Sequence, residues 1–385
     1  MREAHPDSRR FAIFSVASVL FGWHAGGGFA TGNQANQYYI SSGWLGVPSA
    51  LLALLLLTLT IRQAIVMYEQ RGLGSCKELI ETLYHPLDKL EILFEIYYYL
   101  MVLMSVGTCI AGAGTLLVDA LGLPYLLSVV LIGLILLVLT MFGADVVRRV
   151  SSVLSTLILV CAVTIFIVGI CRRTGAIGQA LTAGVSGGTV GRAVLKSFQY
   201  AGFQCASIPT MIACASVLKS RQEAAKAMWL AFATNAAALC LSIFMLLGWQ
   251  DVYTGVEGGA TIPTLTVCKA MGVAPLVWAY YICLFLCFIS SGTMAVFGVT
   301  TRFEALPALR RRVSQERHRR MTGAALVMTA AVGISLAGLT NIIRFGYGYC
   351  GYVGIAILVV PFLTVGAYKN RRYALAHPEA FADPR

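Results

Sequence analysis

The sequence predicts an all-α integral membrane protein with ten transmembrane helices in two halves of five. Of its 385 residues, 58% are hydrophobic and 12% are charged, whereas soluble proteins carry about 25% charged residues. The mean hydropathy is +0.77, and apolar runs long enough to cross a bilayer recur from end to end. Two of these runs, the first of each half, have polar, helix-breaking centres.

Apolar runs separated by charged or turn-rich segments define the ten predicted spans. Their approximate limits are residues 11–41, 44–68, 90–118, 122–143, 146–171, 191–218, 222–249, 271–303, 322–341 and 346–368. Residues 11–172 are therefore expected to form a first repeat and residues 191–368 a second. Residues 173–190 would connect the repeats as an extracytoplasmic loop, with terminal segments at 1–10 and 369–385.

Lysine and arginine predict the orientation of the chain, because cytoplasmic loops of membrane proteins carry an excess of these residues. With the N-terminus inside, the outer side keeps only Arg172, Arg173, Arg192, Lys196, Lys269 and Arg344 of the 29. Both termini are therefore expected in the cytoplasm, with the protein in the cell membrane. The net charge of +12 arises from such clusters between apolar runs and does not indicate nucleic-acid binding.

The segment GAIGQALTAGVSGGTVGR, Gly175 to Arg192, is rich in Gly, Ser and Thr and divides the chain. Five predicted spans precede it and five follow. Because each half has an odd number of spans, the second half enters the membrane with the opposite polarity. This is the inverted-repeat arrangement of many secondary transporters.

The first span is interrupted by GWHAGGGFATGNQ, Gly22 to Gln34. Non-helical backbone at membrane depth is tolerated where it lines a cavity or is buried in protein. Gly26, Gly27 and Gly28 would let the chain unwind and a solute approach the backbone. The half-helix that follows would direct N–H groups at an anionic group, while carbonyls of the preceding one could face a cation. The alternative is that these glycines only permit close helix packing.

The sixth span contains a second interruption, in LKSFQYAGFQCASIPTMIACASVL, Leu195 to Leu218. Pro209 removes a backbone N–H and disfavours helix at the residue before it. Corresponding interruptions in two halves are the best sequence indicator of a transporter binding site. The predicted substrate site comprises Trp23, His24, Gly26, Gly27, Gly28, Phe203, Gln204 and Ser207, with Gly107 and Thr108 of span three.

The two interruptions, the ten spans and FISSGTMAVFG in span eight resemble the leucine-transporter (LeuT) fold of the amino acid–polyamine–organocation superfamily. Within it, AGGGFATGNQ and the AGAG at Ala111 to Gly114 resemble the YkvI-type membrane proteins. The resemblance implies a five-plus-five inverted repeat with substrate near the midplane, between spans one, three, six and eight. Where Gln and then Glu are expected in that group, this chain has Asn33 and Gln34, so one carboxylate is absent.

Ser290 and Ser291 lie well inside span eight and are candidates for a sodium site. Hydroxyls and unwound backbone carbonyls can hold a hard cation without carboxylates. The carbonyls of Gly22, Ala25 and Cys287 would complete the set. LeuT-fold sodium symporters have a similar arrangement, with a Ser/Thr pair in span eight that faces carbonyls of span one. Alternatively, the hydroxyls bond back to carbonyls one turn earlier in their own helix.

Three further polar residues have more than one possible role. His24 could contact substrate or titrate, or it could bond to a carbonyl of the interruption. Glu95 is an ionisable residue within span three, which makes it a functional candidate. Asn235 in span seven could cap the site or bond to a neighbouring helix.

These features predict a secondary active transporter that moves a small amino-acid-like or amine solute, coupled to sodium. A solute-sensing receptor on the same fold is an alternative, and a proton-coupled transporter is another. The sequence lacks HExxH and Walker A motifs, which argues against a membrane enzyme of the zinc-peptidase kind and against an ATP-driven pump. The eleven cysteines are scattered, mostly in apolar runs, without a CxxC pair, so they predict packing rather than a metal centre.

Overall fold

A computed structural model of the chain describes residues 6–24, 26–141, 144–183, 188–305 and 316–379. All regular secondary structure among these residues is helical. The prediction of an all-α fold is therefore confirmed.

The helices of the first half begin with a broken first span. They are α1 (Pro6–His24), α2 (Gly27–Ala30), α3 (Asn33–Tyr38), α4 (Gly46–Arg71), α5 (Cys76–Tyr84), α6 (Glu91–Leu121), α7 (Tyr125–Met141), α8 (Ala144–Arg172) and α9 (Thr174–Thr182). The second half also begins with a broken span. Its helices are α10 (Val190–Gln204), α11 (Ile208–Ala215), α12 (Arg221–Gly248), α13 (Gln250–Thr254), α14 (Pro263–Ala270), α15 (Ala274–Ala305), α16 (Glu316–Ser335) and α17 (Leu339–Ala376).

Among the described residues, five helices are long and apolar enough to cross a membrane. They are Ile40–Arg71, Asp88–Leu121, Arg221–Gly248, Ala274–Val296 and Leu339–Ala376. Two shorter apolar helices, Tyr125–Thr140 and Met321–Ser335, stand where spans four and nine are predicted. Predicted spans one and six are broken, and span five lies within α8, which is followed by a sharp bend into α9. The chain is thus a multi-pass membrane protein whose helices are consistent with ten spans.

The segment between the halves contains a helix rather than only the loop that its composition suggests. α9 turns by 80° from the end of α8. Ile177 of α9 is buried, and a Cβ on Gly248 of α12 would lie 2.6 Å from the Ile177 Cγ1. The glycine therefore makes room for an apolar side chain that holds α9 against α12.

The helices pack in two groups. The first contains α1, α4, α10, α11 and α12, and the second contains α6, α7, α15 and α16. α8 lies between the groups, against α12 and α15, whereas α17 packs mainly along α10. The first group therefore contains α1 from the first broken span and α10 and α11 from the second, whereas α2 contacts α6 and α15 of the second group.

Helices α10 and α17 meet backbone to backbone. A Cβ on Gly202 would overlap the carbonyl oxygen of Gly351, and a Cβ on Gly354 would overlap the carbonyl oxygen of Gly202. We call these three residues the glycine seam. Beside the seam, α17 departs from α-helical geometry in three π-helical stretches, Ile342–Tyr347, Ile355–Val359 and Phe362–Gly366. Such wider turns are common at functional sites.

Polar contacts distinguish the two ends of the molecule. The start of α1 and the end of α17 lie at one end, which we call the terminal face. There, Arg71 Nη1 donates to Asn370 Oδ1 at 2.9 Å, and Arg9 lies 3.9 Å from Glu223 at the start of α12. The opposite face is joined by two 2.7 Å ion pairs, Arg173 with Asp251 and Lys269 with Asp119.

Candidate substrate site

Both predicted interruptions are present, but they differ in kind. In the first, α1 ends at His24 and α2 begins at Gly27, and the chain turns again at Gly32, whose φ is +77°. In the second, α10 passes into α11 through a single 3₁₀ turn, Cys205–Ser207. Pro209 lies in the first turn of α11, where its missing N–H would have no helical partner in any case.

The glycines of the first break are mostly covered by side chains of the same protein. A Cβ on Gly27 would overlap the ring of Phe288, and a Cβ on Gly28 would lie 2.5 Å from the Gln34 Nε2. Gly26 is more open, because its nearest neighbour would be the Trp23 carbonyl oxygen at 3.5 Å. Close packing, the alternative that the sequence left open, therefore accounts for Gly27 in this structure.

The Phe288 ring of α15 also covers Gly112 of α6, where an added Cβ would overlap it. Gly112→Ala is expected to destabilise the protein by about 1–3 kcal/mol, because overpacking costs this much. Helix propensity alone would favour alanine by about 1 kcal/mol. A lower melting temperature would therefore indicate overpacking, and a higher one would indicate that helix propensity dominates. The measurement is the apparent melting temperature in detergent.

The matched control is Gly112→Ala combined with Phe288→Leu, which removes the ring that the methyl group would strike. This double variant should recover stability relative to Gly112→Ala. A single variant that melts at or above the wild-type temperature would show that the ring moves aside at little cost.

Buried polar side chains from both breaks meet at Tyr200. The Tyr200 hydroxyl donates to Gln34 Oε1 at 3.1 Å and accepts from Gln204 Nε2 at 3.4 Å. His24 Nε2 lies 2.7 Å from the same oxygen. With the phenolic proton on the bond to Gln34, His24 Nε2 donates to Tyr200 and Nδ1 is an acceptor; in the other tautomer Nε2 accepts from Tyr200 and Nδ1 carries the hydrogen.

Asn235 of α12 completes this cluster, since its side chain interacts with His24. Its Nδ2 donates to the Ala231 carbonyl at 2.7 Å. Apart from this interaction between the two side chains, neither Asn235 Oδ1 nor His24 Nδ1 has a hydrogen-bond partner among the described residues, although both atoms are buried. We call these two atoms the acceptor pair. Ser207 Oγ, at the second break, is likewise buried without a partner.

An aromatic cluster lies beside the polar one. The ring of Phe203 lies 5.4 Å from Tyr38, 4.8 Å from Tyr200 and 5.1 Å from Tyr347, centroid to centroid. The Tyr97 hydroxyl of α6 donates to the carbonyls of Gly202 at 2.6 Å and Phe203 at 3.0 Å. The second helix group thus bonds directly to the backbone of the second break.

Of the two predicted site residues in span three, Thr108 lies at the edge of the aromatic cluster and Gly107 lies away from it. Thr108 donates to the Met104 carbonyl at 2.8 Å and contacts Tyr347. Gly107 does not face the breaks: a Cβ there would lie 2.8 Å from Ile334 Cγ2 of α16. Gly107 therefore serves the packing of α6 on α16 and does not line the expected cavity.

Other predicted site residues also lie apart from the polar cluster. Trp23 is 37% exposed, and Gly22 is exposed as well. Glu95 is half-buried and lies close to Glu91, near the beginning of α6. Asn33, in contrast, is fully buried, and its Nδ2 donates to the Thr261 carbonyl and Thr340 Oγ1, each at 2.9 Å. It joins the first break to α17 and to the loop before α14.

The predicted sodium ligands lie on two different helices, α15 and α1. On α15, Ser290 is buried and Ser291 interacts with the Cys287 thiol. α1, which carries Gly22, packs mainly on α12, whereas α15 meets the break at α2. Ala25 lies outside the described residues.

Of the predicted site residues, the structure brings His24, Gln204 and Asn235 together around Tyr200, a residue that the sequence analysis did not single out. A signal for Tyr200 was present, because it precedes Gln204 by four residues and therefore shares its helix face. Tyr38 and Tyr347 had no comparable signal.

No protein-family model matches the sequence, and no curated protein matches it. Solved structures do match. MhsT in complex with L-phenylalanine has 12% identity and a TM-score of 0.54, covering 91% of this chain and 98% of that one. An Eremococcus coleocola manganese transporter has 15% identity and a TM-score of 0.55, with coverage of 99% and 95%. A Na⁺-coupled sialic acid symporter has 15% identity and a TM-score of 0.55, with coverage of 94% and 97%. These similarities establish the LeuT fold.

Proposed function

We propose that this protein is a secondary active transporter that moves a small amino-acid-like or amine solute by alternating access. The observation that carries the proposal is the acceptor pair, His24 Nδ1 and Asn235 Oδ1, buried beside two broken helices. Leaving a buried polar atom unpaired costs about 1–3 kcal/mol. In the tautomer that leaves His24 Nδ1 unprotonated, the two acceptors cannot bond to each other, so they favour a ligand that supplies hydrogen-bond donors. The matching structures are those of transporters and a symporter, which favours transport over enzyme chemistry.

An amine fits the acceptor pair because an ammonium group has three donors and no acceptor. His24 Nδ1 and Asn235 Oδ1 would take two of these donors. A solute with acceptors alone would leave the acceptor pair unsatisfied. The polar cluster thus supports amino acids and amines as the substrate class.

We further infer the placement of the chain in the cell membrane. The distribution of Lys and Arg supports a terminal face in the cytoplasm, with residues 11–172 and 191–368 as the two inverted repeats. The glycine-rich signature of the first break supports a relationship to the YkvI-type proteins within the LeuT fold.

Sodium is the coupling ion that we propose. Ser290 and Ser291 supply hydroxyls on α15, and Cys287 lies one turn before them. Carbonyls at the end of α1 would approach these hydroxyls only if α1 moved towards α15, since α1 now packs mainly on α12. Such a movement during the transport cycle would couple sodium binding to closure of the site.

Ser291→Ala is expected to weaken the sodium dependence of transport several-fold, with a smaller loss of substrate affinity at saturating sodium. The measurement is uptake into proteoliposomes as a function of sodium concentration. Thr293→Ala is the matched control, because within the described chain the Thr293 hydroxyl bonds back to the Ile289 carbonyl of its own helix, at 2.7 Å. Full activity without sodium, driven by a proton gradient, would overturn the assignment. His24 and Glu95 would then be the candidates for proton coupling.

The substrate class is tested by thermal-shift measurements on the purified protein with a panel of amino acids, amines and nucleobases, with and without sodium. A ligand that binds only the folded protein raises its apparent stability. Each ligand found is then tested for uptake into proteoliposomes. Binding with no uptake under any ion gradient would favour the solute-sensing receptor.

A further inference from the structure

A cavity of about 510 Å³ lies between α3, α10 and α17, near the opposite face. This volume is within the range of small-ligand sites, about 300–1,000 Å³. Three cations line it, Arg192 and Lys196 from the beginning of α10 and Arg344 from the beginning of α17. None of the described lining residues is acidic.

These three cations lack the neutralisation that others on the same face receive. Lys196 Nζ donates to the Gln37 carbonyl at 2.9 Å and contacts Ser41 Oγ at 2.8 Å, both neutral groups. Arg192 and Arg344 lie close enough to repel its charge. No ion pair joins any of the three to a carboxylate in the described part of the chain, whereas Arg173 and Lys269 each have one.

The other wall of the cavity is aromatic and exposed. Phe345, Tyr349 and Tyr352 of α17 line it and are 45%, 67% and 44% exposed. The exposed surface of α17 continues through Val353, Val360 and Val365. Exposed aromatic residues are enriched where a membrane protein crosses the bilayer interface. The cavity thus joins a basic wall to an apolar surface suited to acyl chains.

We infer that this cavity, which we call the anion groove, binds the headgroup of an anionic phospholipid. Its phosphate would lie among Arg192, Lys196 and Arg344, and its acyl chains would follow the exposed surface of α17. Basic pockets between membrane helices recognise acidic headgroups in this manner. The apolar wall favours a lipid over a soluble anion, which would need only the cations. This inference is independent of the proposed transport activity.

The test measures the melting temperature of the full-length protein in detergent while phosphatidylglycerol or phosphatidylcholine is added. Phosphatidylglycerol should raise the temperature well above the effect of phosphatidylcholine. In Arg192→Gln/Arg344→Gln, about tenfold more phosphatidylglycerol should be needed for the half-maximal increase, because each arginine contributes to attraction of an anionic headgroup. Both arginines are exposed, and Lys196, with its structural contacts, is kept.

Lys269→Gln is the matched control, since it removes one positive charge from the same face outside the groove and should leave the phosphatidylglycerol response unchanged. If the double variant does not fold, the single variant Arg344→Gln replaces it, with a smaller expected loss. An unchanged response in the arginine variants would overturn the proposal, as would equal responses to the two lipids. An equal increase with inorganic phosphate would also overturn it, because the groove would then bind a soluble anion.

Discussion

Gly202→Ala is expected to prevent stable folding or to destabilise the protein by about 3 kcal/mol, the upper end of the cost of overpacking. The added methyl group would overlap the Gly351 carbonyl oxygen and lie 2.9 Å from the Ile355 backbone nitrogen. Backbone atoms cannot rotate away as a side chain can, so α10 and α17 would have to separate. The measurement is the yield of monodisperse protein in detergent and its melting temperature.

Gly191→Ala is the matched control for this substitution. Gly191 lies in the same helix, and a Cβ there would have no atom within 4 Å among the described residues. Alanine favours helix over glycine by about 1 kcal/mol, so this variant should be as stable as the wild type or more stable. Equal melting temperatures for the two variants would show that the seam is not tightly packed.

Asn235→Leu is expected to weaken binding of the amine solute on the order of 100-fold while leaving stability unchanged or improved. A hydrogen bond to a charged group contributes about 1.5–3 kcal/mol, and one tenfold step in affinity corresponds to about 1.4 kcal/mol. Asn235 interacts with His24 and otherwise bonds back to the Ala231 carbonyl of its own helix, so leucine removes one buried polar contact and leaves the bonds between the other helices intact. Ligand-dependent thermal shift measures the affinity, and the melting temperature without ligand measures the stability.

The matched control is Asn235→Asp, which retains the acceptor oxygen and adds a negative charge. This variant should bind an amine at least as well as the wild type at neutral pH. If Asn235→Leu lowers stability as much as it lowers affinity, the side chain serves the fold. If affinity is unchanged in both variants, the solute lies elsewhere.

Much of the fold could be predicted because hydropathy and helix-breaking residues act locally along the chain. The apolar runs gave the spans, and Gly26 to Gly28 and Pro209 marked both interruptions. The details of the second break were less predictable, since Gly202 and Pro209 were expected to unwind the chain but leave only one 3₁₀ turn. The backbone of α17 lies directly against Gly202, so there is little space for α10 to unwind further at the second break.

The site could be predicted only in part because its contacts join residues far apart in sequence. Phe288 covers both Gly27 and Gly112, and no local pattern reveals that one ring lies on two glycines. Similarly, Tyr97 lies in a run of three tyrosines typical of packing, yet it bonds to the carbonyls of the second break. In contrast, His24 and Gln204 stood out as polar residues in apolar surroundings, and such residues are costly to bury without a purpose.

The glycine seam has a mechanical consequence. Where two backbones touch without side chains between them, neither helix can tilt far against the other without a clash or an empty gap, and close packing resists both. α17 and α10 should therefore move together as one rigid body when the two helix groups rearrange. Because Arg192 and Lys196 lie on α10 and Arg344 on α17, a lipid in the anion groove would keep its contacts during this movement. It would stabilise the pairing of α10 and α17, and it would not have to dissociate in every transport cycle.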